Sequence, residues 1–502
     1  MVGEKSSKAH NFQLIIRNEK LIVIALIVFA TVLRIIRIAT REIAYDDAFS
    51  FFLSIKKLNV IVQGTIADTM PPLYYFALHF FTLIRNEIWF LRTLNILISI
   101  AIFLILYFLS RELFGKETGY LALFFAAISP FLIYHSQELR MYNLMLLGQL
   151  GYLYSLIIIS NHPEKFKKYF FVAIIFGTIA LYSHNLAIVG LLASNSIYFF
   201  NKCSQLVRRQ ALIFITMLIL FLPWAFFVPQ QIAKVQTAFW TPKPGILEII
   251  QAIITSFAFA PMPLYWMVIV TIIIIEVVAI VLLWINRQKQ TSLYFLVCIG
   301  LMLPTLLFII SYLTRPVFVP RIFILSTVLA YILISRFVIA NRHAVIGKVV
   351  LASMLLVSLI SLPYYYTYQS FPRSSFLQAV NYLEINANQD TLILHDSKLS
   401  FFPMMYYAPE LMQTYLADPE GSANDTLALQ SQEALGYVAM NEISGPDLPD
   451  NLFFVTFVQS EHEYNQLGLS NPHIVKLKTI YKQEGSFKTI DDIKIYHFER
   501  VP

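Results

Sequence analysis

Two carboxylates stand side by side in Ala44-Tyr45-Asp46-Asp47-Ala48-Phe49, a few residues beyond the first long apolar run. An aspartate with an ordinary pKa of about 4 is ionised at neutral pH. It can take the proton from a hydroxyl as that hydroxyl attacks, which is general base chemistry. The same residues fit a second use, because Asp is a good helix cap before Ala48-Phe49-Ser50-Phe51. Spacing alone leaves both readings open. Asp68-Thr69-Met70-Pro71-Pro72-Leu73-Tyr74-Tyr75 adds a third acid and more aromatics to the same segment, 40–87. A second segment, Tyr134-His135-Ser136-Gln137-Glu138-Leu139-Arg140-Met141-Tyr142, packs an acid, a base, a histidine and two tyrosines between apolar runs. A turn needs no such set. The competing reading is an interfacial tyrosine belt with a surface ion pair.

Cations recur near these segments. Arg34 and Arg37 lie three residues apart, on similar helical faces. Lys234 and Lys243 flank Phe239-Trp240-Thr241-Pro242, and Arg315 and Arg321 bracket Pro316-Val317-Phe318-Val319-Pro320. A phosphate at a membrane surface needs such groups, to bind it and to stabilise the charge it gains on leaving. Each alone fits snorkelling or a lipid headgroup equally well. The set points to a phosphate. His184, in Tyr182-Ser183-His184-Asn185, closes a helix, where a lone histidine is more often structural than functional. Glu276 lies deep in an apolar run. An intramembrane acid is a functional candidate by default, and a hydrogen bond to a neighbouring helix is the alternative.

The elements that must position these residues are membrane spans. Of 502 residues, 58% are hydrophobic and 13% charged, about half the charge of a soluble domain. Lipid must be the solvent for much of such a chain. A span needs about 20 apolar residues. Eleven stretches qualify: 21–39, 88–109, 119–133, 142–159, 169–183, 186–200, 211–228, 264–285, 293–313, 322–340 and 346–364. Shorter apolar helices at 73–84 and 246–259 read as interfacial. The first run lacks a small-residue cleavage site, so it reads as a retained helix.

Orientation follows from the basic loops. With a cytoplasmic N-terminus, the inner segments hold Lys5, Lys8, Arg17 and Lys20; Arg111 and Lys116; Lys165, Lys167 and Lys168; Lys202, Arg208 and Arg209; Arg287 and Lys289; and Arg336, Arg342 and Lys348. Each is basic, which puts the C-terminus outside. The division expected is a cytoplasmic tail (1–20), a transmembrane domain with outer loops (21–367) and an extracytoplasmic soluble α/β domain (368–502). Within the last, 374–385 has helical spacing, and 391–395 and 451–458 read as strands.

The net charge of +7 does not gather on one basic face, so nucleic acid is excluded as a partner. Cys203 and Cys298 have neither metal nor disulfide spacing. The sequon Asn424-Asp425-Thr426 matters only in a glycosylating pathway. No internal repeat is visible.

Over its first 365 residues or so the chain resembles the GT-C superfamily, in the branch of protein O-mannosyltransferases and lipid A aminoarabinose transferases. The resemblance rests on the order of several elements. Asp46-Asp47 stands where the family usually has Asp-Glu. Pro71-Pro72-Leu73-Tyr74-Tyr75 follows, with Met70 where the family often has His, so no role of that His carries over. Then come Leu91-Arg92, Arg111-Glu112-Leu113-Phe114-Gly115, Gln137-Glu138-Leu139-Arg140-Met141-Tyr142, and Pro320-Arg321 with Ile322 in place of an aromatic.

The resemblance implies a polyprenyl-phosphate-linked sugar donor and an inverting transfer to a hydroxyl on the non-cytoplasmic face of an inner membrane. It implies Asp46 as base, with Asp47 orienting it or helping to bind the acceptor. Glu138 and Arg140 would line the same cavity. Beside what the resemblance implies, Tyr74, His184, Lys243 and Arg321 are expected as further substrate contacts. Some relatives use a divalent metal and others do not, so neither metal nor cofactor is assigned. The acceptor, whether protein, lipid or glycan, stays open. The alternative is a transporter or flippase of lipid-linked sugars, which would commonly show repeated halves and broken helices. A scaffold subunit is a third reading, opposed by the clustered acids and bases.

Overall fold

The computed structural model describes residues 2–196, 204–237, 241–259, 261–422, 425–443 and 448–500. Lys202, Cys203, Phe239, Trp240 and Asn424 lie outside the described residues. Long helices dominate because a lipid-embedded backbone must satisfy its own N–H and C=O groups. In chain order they are α1 (Val2–Ile35), α2 (Tyr45–Ser54), α3 (Leu58–Ala67), α4 (Leu73–Thr82), α5 (Ile88–Phe114), α6 (Lys116–Ile128), α7 (Pro130–Ser136), α8 (Tyr142–Asn161), α9 (Phe166–Ser183) and α10 (Ala187–Ser194). Next are α11 (Ser204–Ala225), α12 (Val228–Thr237), α13 (Ile246–Phe257), α14 (Leu264–Gln288), α15 (Thr291–Leu313), α16 (Ile324–Ala340) and α17 (Val345–Thr367). The C-terminal part holds α18 (Phe376–Asn386), β1 (Leu392–His395), α19 (Lys398–Tyr407), β2 (Gln413–Tyr415), α20 (Leu429–Leu435), β3 (Asn451–Phe457), α21 (Val458–Gln466), α22 (Pro472–Ile480), β4 (Tyr481–Ile490) and β5 (Ile493–Arg500).

The chain divides into two compact units. The first is Met1–Ile38, Arg92–Val228 and Thr241–Tyr366; the second is Ala39–Leu91, Pro229–Trp240 and Thr367–Pro502. Eight helices among the described residues are long and apolar enough to cross a membrane, or nine if a bent pair is one span, so the protein is a multi-pass membrane protein. Three of the eleven expected stretches are not among these eight. The first apolar run stays helical only to Ile35, where α1 gives way to turns. The stretch 119–133 is split by a 66° bend between α6 and α7. The stretch 186–200 is described only to 196.

The bend has its own support. Ser129 Oγ accepts from the Leu132 N–H (3.3 Å), and Pro130 opens the new helix. Arg34 gathers carbonyls that the end of α6 releases, those of Ala127 (3.1 Å) and Ala126 (3.2 Å), and its Nε donates to Ser136 Oγ (3.0 Å). Where α8 meets α9 the backbones nearly touch. A Cβ on Gly148 would sit 2.6 Å from the Phe176 carbonyl oxygen, so only glycine fits.

In the second unit a five-stranded sheet has the order β2-β1-β3-β5-β4. β1 pairs in parallel with β2 (Ile393↔Gln413) and β3 (Leu392↔Leu452), and β5 runs antiparallel to β3 (Phe454↔Tyr496). Apolar cores fill both faces, one with Phe376, Leu383, Ile393 and Val455, the other with Leu394, Phe454, Leu477 and Phe498. Helices α2–α4 pack with this part. Phe51 stacks edge-on to Tyr406 (5.0 Å between centroids), and Phe52 meets Tyr437 (5.2 Å). A Cβ on Gly64 would lie 2.8 Å from Leu53 and 3.3 Å from Ala434, so the bare glycine lets α3 approach α20 closely.

Candidate active site

Helix α2 carries the acidic pair in its first turn, where the positive end of the helix favours negative charge. The N-cap is Ala44, so Asp46 is not the cap. Asp46 is half-buried, and its backbone carbonyl accepts from Ser50 Oγ (2.9 Å). Tyr45 and Phe49 flank it. Tyr45 also meets Phe402 (5.6 Å), and Phe49 meets Tyr75 (6.3 Å), next to the fully buried Tyr74. The turn that carries Asp46 therefore borders an aromatic cluster of Tyr45, Phe49, Tyr75 and Phe402.

Asp47 is fully buried. Its Oδ2 accepts from the Ala44 N–H (3.3 Å) and from Arg373 Nη1 (2.9 Å). Arg373, itself 2% exposed, also donates to the Glu42 carbonyl (2.7 Å). This arginine was not singled out in the sequence. It lies 326 residues from its partner, and nothing local in Phe371-Pro372-Arg373-Ser374 marks it. Leaving one member of a buried ion pair alone costs about 3–5 kcal/mol, so the pair holds the first turn of α2 firmly.

Nearby in the same unit, Lys234 of α12 donates to the Ala67 carbonyl (3.1 Å) and lies 3.8 Å from Asp68. Burial lowers its pKa, and Asp68 partly offsets this. The lysine expected to flank a bound phosphate thus has its own protein partners.

The helical unit holds a second cluster. His184 caps the end of α9 and is buried. Its Nδ1 accepts from the Leu186 N–H (3.1 Å), so its hydrogen must sit on Nε2. Burial pushes its pKa down to about 3, and the positive charges of Arg321 and Arg140 push the same way. The ring is neutral, and its Nε2–H has no partner among the described residues. Tyr142 lies beside it (5.9 Å), and the Arg321 guanidinium covers the Tyr142 ring at 5.2 Å. Arg321 stands in a 3-10 turn, Pro320–Phe323, whose proline sets the turn's first residue.

Glu138 is buried and bonds His135 Nδ1 at 2.9 Å. The His135 ring is boxed by Phe131 (4.7 Å) and Tyr142 (5.4 Å), and its Nε2 is also without a partner among the described residues. Asn95 of α5 holds the loop by donating to the carbonyls of Glu138 and Arg140. The structure thus gathers Glu138, Arg140, His184 and Arg321 around Tyr142 and His135. Lys243 is exposed on the coil before α13 and joins none of these contacts. Arg34 is consumed by the α6–α7 bend. Glu276 lies on an exposed face of α14. Among the described residues, no three His, Cys, Asp or Glu side chains could hold a metal ion.

The profile of the family described as dolichyl-phosphate-mannose-protein mannosyltransferase matches residues 69–227. Among curated proteins none matches this chain. ArnT from Cupriavidus metallidurans in the apo state superposes with a TM-score of 0.59 at 9% identity, over 95% of this chain and 97% of that one. The same protein bound to undecaprenyl phosphate gives a TM-score of 0.56 at 9% identity, with the same coverage. These likenesses establish a GT-C fold: membrane-spanning helices followed by a small C-terminal sheet.

Proposed function

We propose that this GT-C-fold protein is a glycosyltransferase that moves a sugar from a polyprenyl-phosphate donor to a hydroxyl acceptor, with inversion, on the non-cytoplasmic face of the membrane. The observation that carries the reading is the buried neutral His184, whose unsatisfied N–H lies in the field of Arg140 and Arg321. Two guanidinium groups and one donor match the oxygens of a phosphate. An apolar groove of about 680 Å³, lined by α13, α14, α15 and α16, offers a dry bed for a prenyl chain. The family match and the ArnT complex with undecaprenyl phosphate support the same donor class.

In this mechanism Asp46 takes the acceptor's hydroxyl proton. The acceptor oxygen bonds to the anomeric carbon from the face opposite the phosphate. The carbon–oxygen bond to phosphate breaks, and its electron pair leaves with the phosphate. Arg140, Arg321 and His184 stabilise the charge gained there. Asp47, held by Arg373, orients the turn that carries Asp46. The deciding experiment incubates purified protein with lipid-linked sugars and membrane extract. Release of free polyprenyl phosphate together with a glycosylated acceptor is expected. Movement of intact lipid-linked sugar without its cleavage would instead mean a flippase.

A further inference from the structure

The C-terminal sheet carries a cluster of polar side chains along one edge. With the order β2-β1-β3, the chain leaves β1 through α19 to β2 on one side and returns to β3 on the other. In open α/β sheets, small molecules bind outside the carboxyl ends of the strands at such a reversal. Here those ends carry reactive groups: Asp396 and Lys398 after β1, Asp418 after β2, and Thr456 near the end of β3.

Asp396 is the hub. Its Oδ2 accepts from Thr456 Oγ1 (2.6 Å) and Asn471 Nδ2 (3.0 Å), and its Oδ1 pairs with His473 Nδ1 (2.6 Å). Two neutral donors already satisfy the carboxylate's structural needs. In its neutral form the imidazole turns an Nδ1 hydrogen toward Asp396, which leaves a lone pair on Nε2. That Nε2 has no partner among the described residues, and the ring is 33% exposed. Alongside, Lys398 is almost fully buried and ion-paired with Asp418, whose pKa is raised by burial and drawn back by the lysine. Tyr464 of α21, half-buried, is within electrostatic reach of Asp396.

The balance of charge selects the ligand class. Asp396 and Asp425 both act on Asp418, against Lys398 and the already paired Lys234. Acids outnumber bases, which disfavours an anion. A hydroxylated ligand suits the set, since each hydroxyl both donates and accepts, and a tyrosine face can cover its C–H surface. We infer that the carboxyl edge of β1–β3 is a saccharide-binding subsite, in which His473 Nε2 accepts a hydrogen bond from a sugar hydroxyl. It stands whether or not Asp46 is a catalytic base.

The test needs no variant. Diethyl pyrocarbonate acylates an unprotonated ring nitrogen, here Nε2, and mass spectrometry reads each histidine separately. Full-length protein in detergent would be treated with and without millimolar methyl glycosides of glucose, galactose, mannose and arabinose. At least one should slow acylation of His473 about threefold, the protection given by a ligand at twice its dissociation constant. His462, exposed on α21, should react at an unchanged rate in the same samples. No protection of His473 by any of the four, equal slowing at His462, or protection by inorganic phosphate alone would each overturn the inference.

Discussion

At the scale of single residues, Asp46→Asn tests the base directly, because it keeps the shape of the side chain and removes its basicity. Ala44 is the N-cap of α2, so no capping role of Asp46 obscures the result. General base catalysis contributes about 100- to 10,000-fold, so single-turnover transfer in Asp46→Asn should fall at least to the lower of these. Donor binding should survive, because cations hold the phosphate. Activity within a few-fold of the native protein would end the assignment. Arg321→Ala should weaken donor binding and slow turnover with the fold intact. Arg321→Lys should rescue only part, because an ammonium lacks the planar fork and stacks less well on Tyr142. Unchanged kinetics in Arg321→Ala would remove it from the phosphate site.

At the scale of elements, the first turn of α2 is only as firm as its long-range partner. Arg373→Met removes the buried cation that faces Asp47, at a cost of about 3–5 kcal/mol. The double variant Arg373→Met with Asp47→Asn buries no unpaired charge and should recover part of that loss. Thermal unfolding in detergent reads both, and a double variant no more stable than the single would argue against the pair. The bend between α6 and α7 teaches the same lesson. Its proline and serine are visible in the sequence, but the arginine that satisfies the broken end arrives from α1. Arg34 invited a phosphate-binding reading because it is a cation in an apolar helix. In the structure its guanidinium donates to Ser136 and to the carbonyls of Ala30, Ala126 and Ala127.

At the scale of the molecule, basic loops predict an N-inside, C-outside chain. A reporter active only outside the cytoplasm should work when fused after Tyr368 and be silent after Lys168. The reverse would overturn both the orientation and the side on which transfer occurs. The pH dependence of stability is a second global test. His395 of β1 is buried beside Ser400 and Gln413, and burial drops its pKa to about 4, with the Gln413 hydrogen bond working weakly upward. The unfolded chain, with a histidine near its ordinary value of about 6.5, takes up a proton over the interval in which the native one does not. Stability from this group is therefore full above about pH 6.5 and declines as the pH falls toward 4, by up to about 1.4 kcal/mol per unit. The melting temperature should drop between pH 7 and 5, and His395→Gln should flatten part of that slope. Parallel slopes would mean that His395 does not change protonation on unfolding.

What the sequence by itself determined is what local periodicity and composition can carry. Apolar runs near the length of a bilayer must be helices wherever they sit, so most spans were readable, as were α18, β1 and β3 with their boundaries nearly right. Asp46-Asp47 and the Glu138–Arg140 loop stood out because polar clusters are conspicuous between apolar runs. The rest required choosing partners far along the chain. Nothing local marks the short β2, or says that Asp47 will meet Arg373, that Asp396 will meet His473, or that the segment 39–91 shares a compact unit with 367–502. Nor can a sequence show that His184 keeps an unsatisfied N–H. Burial and hydrogen bonding depend on which surfaces pack together, and only the tertiary structure decides that.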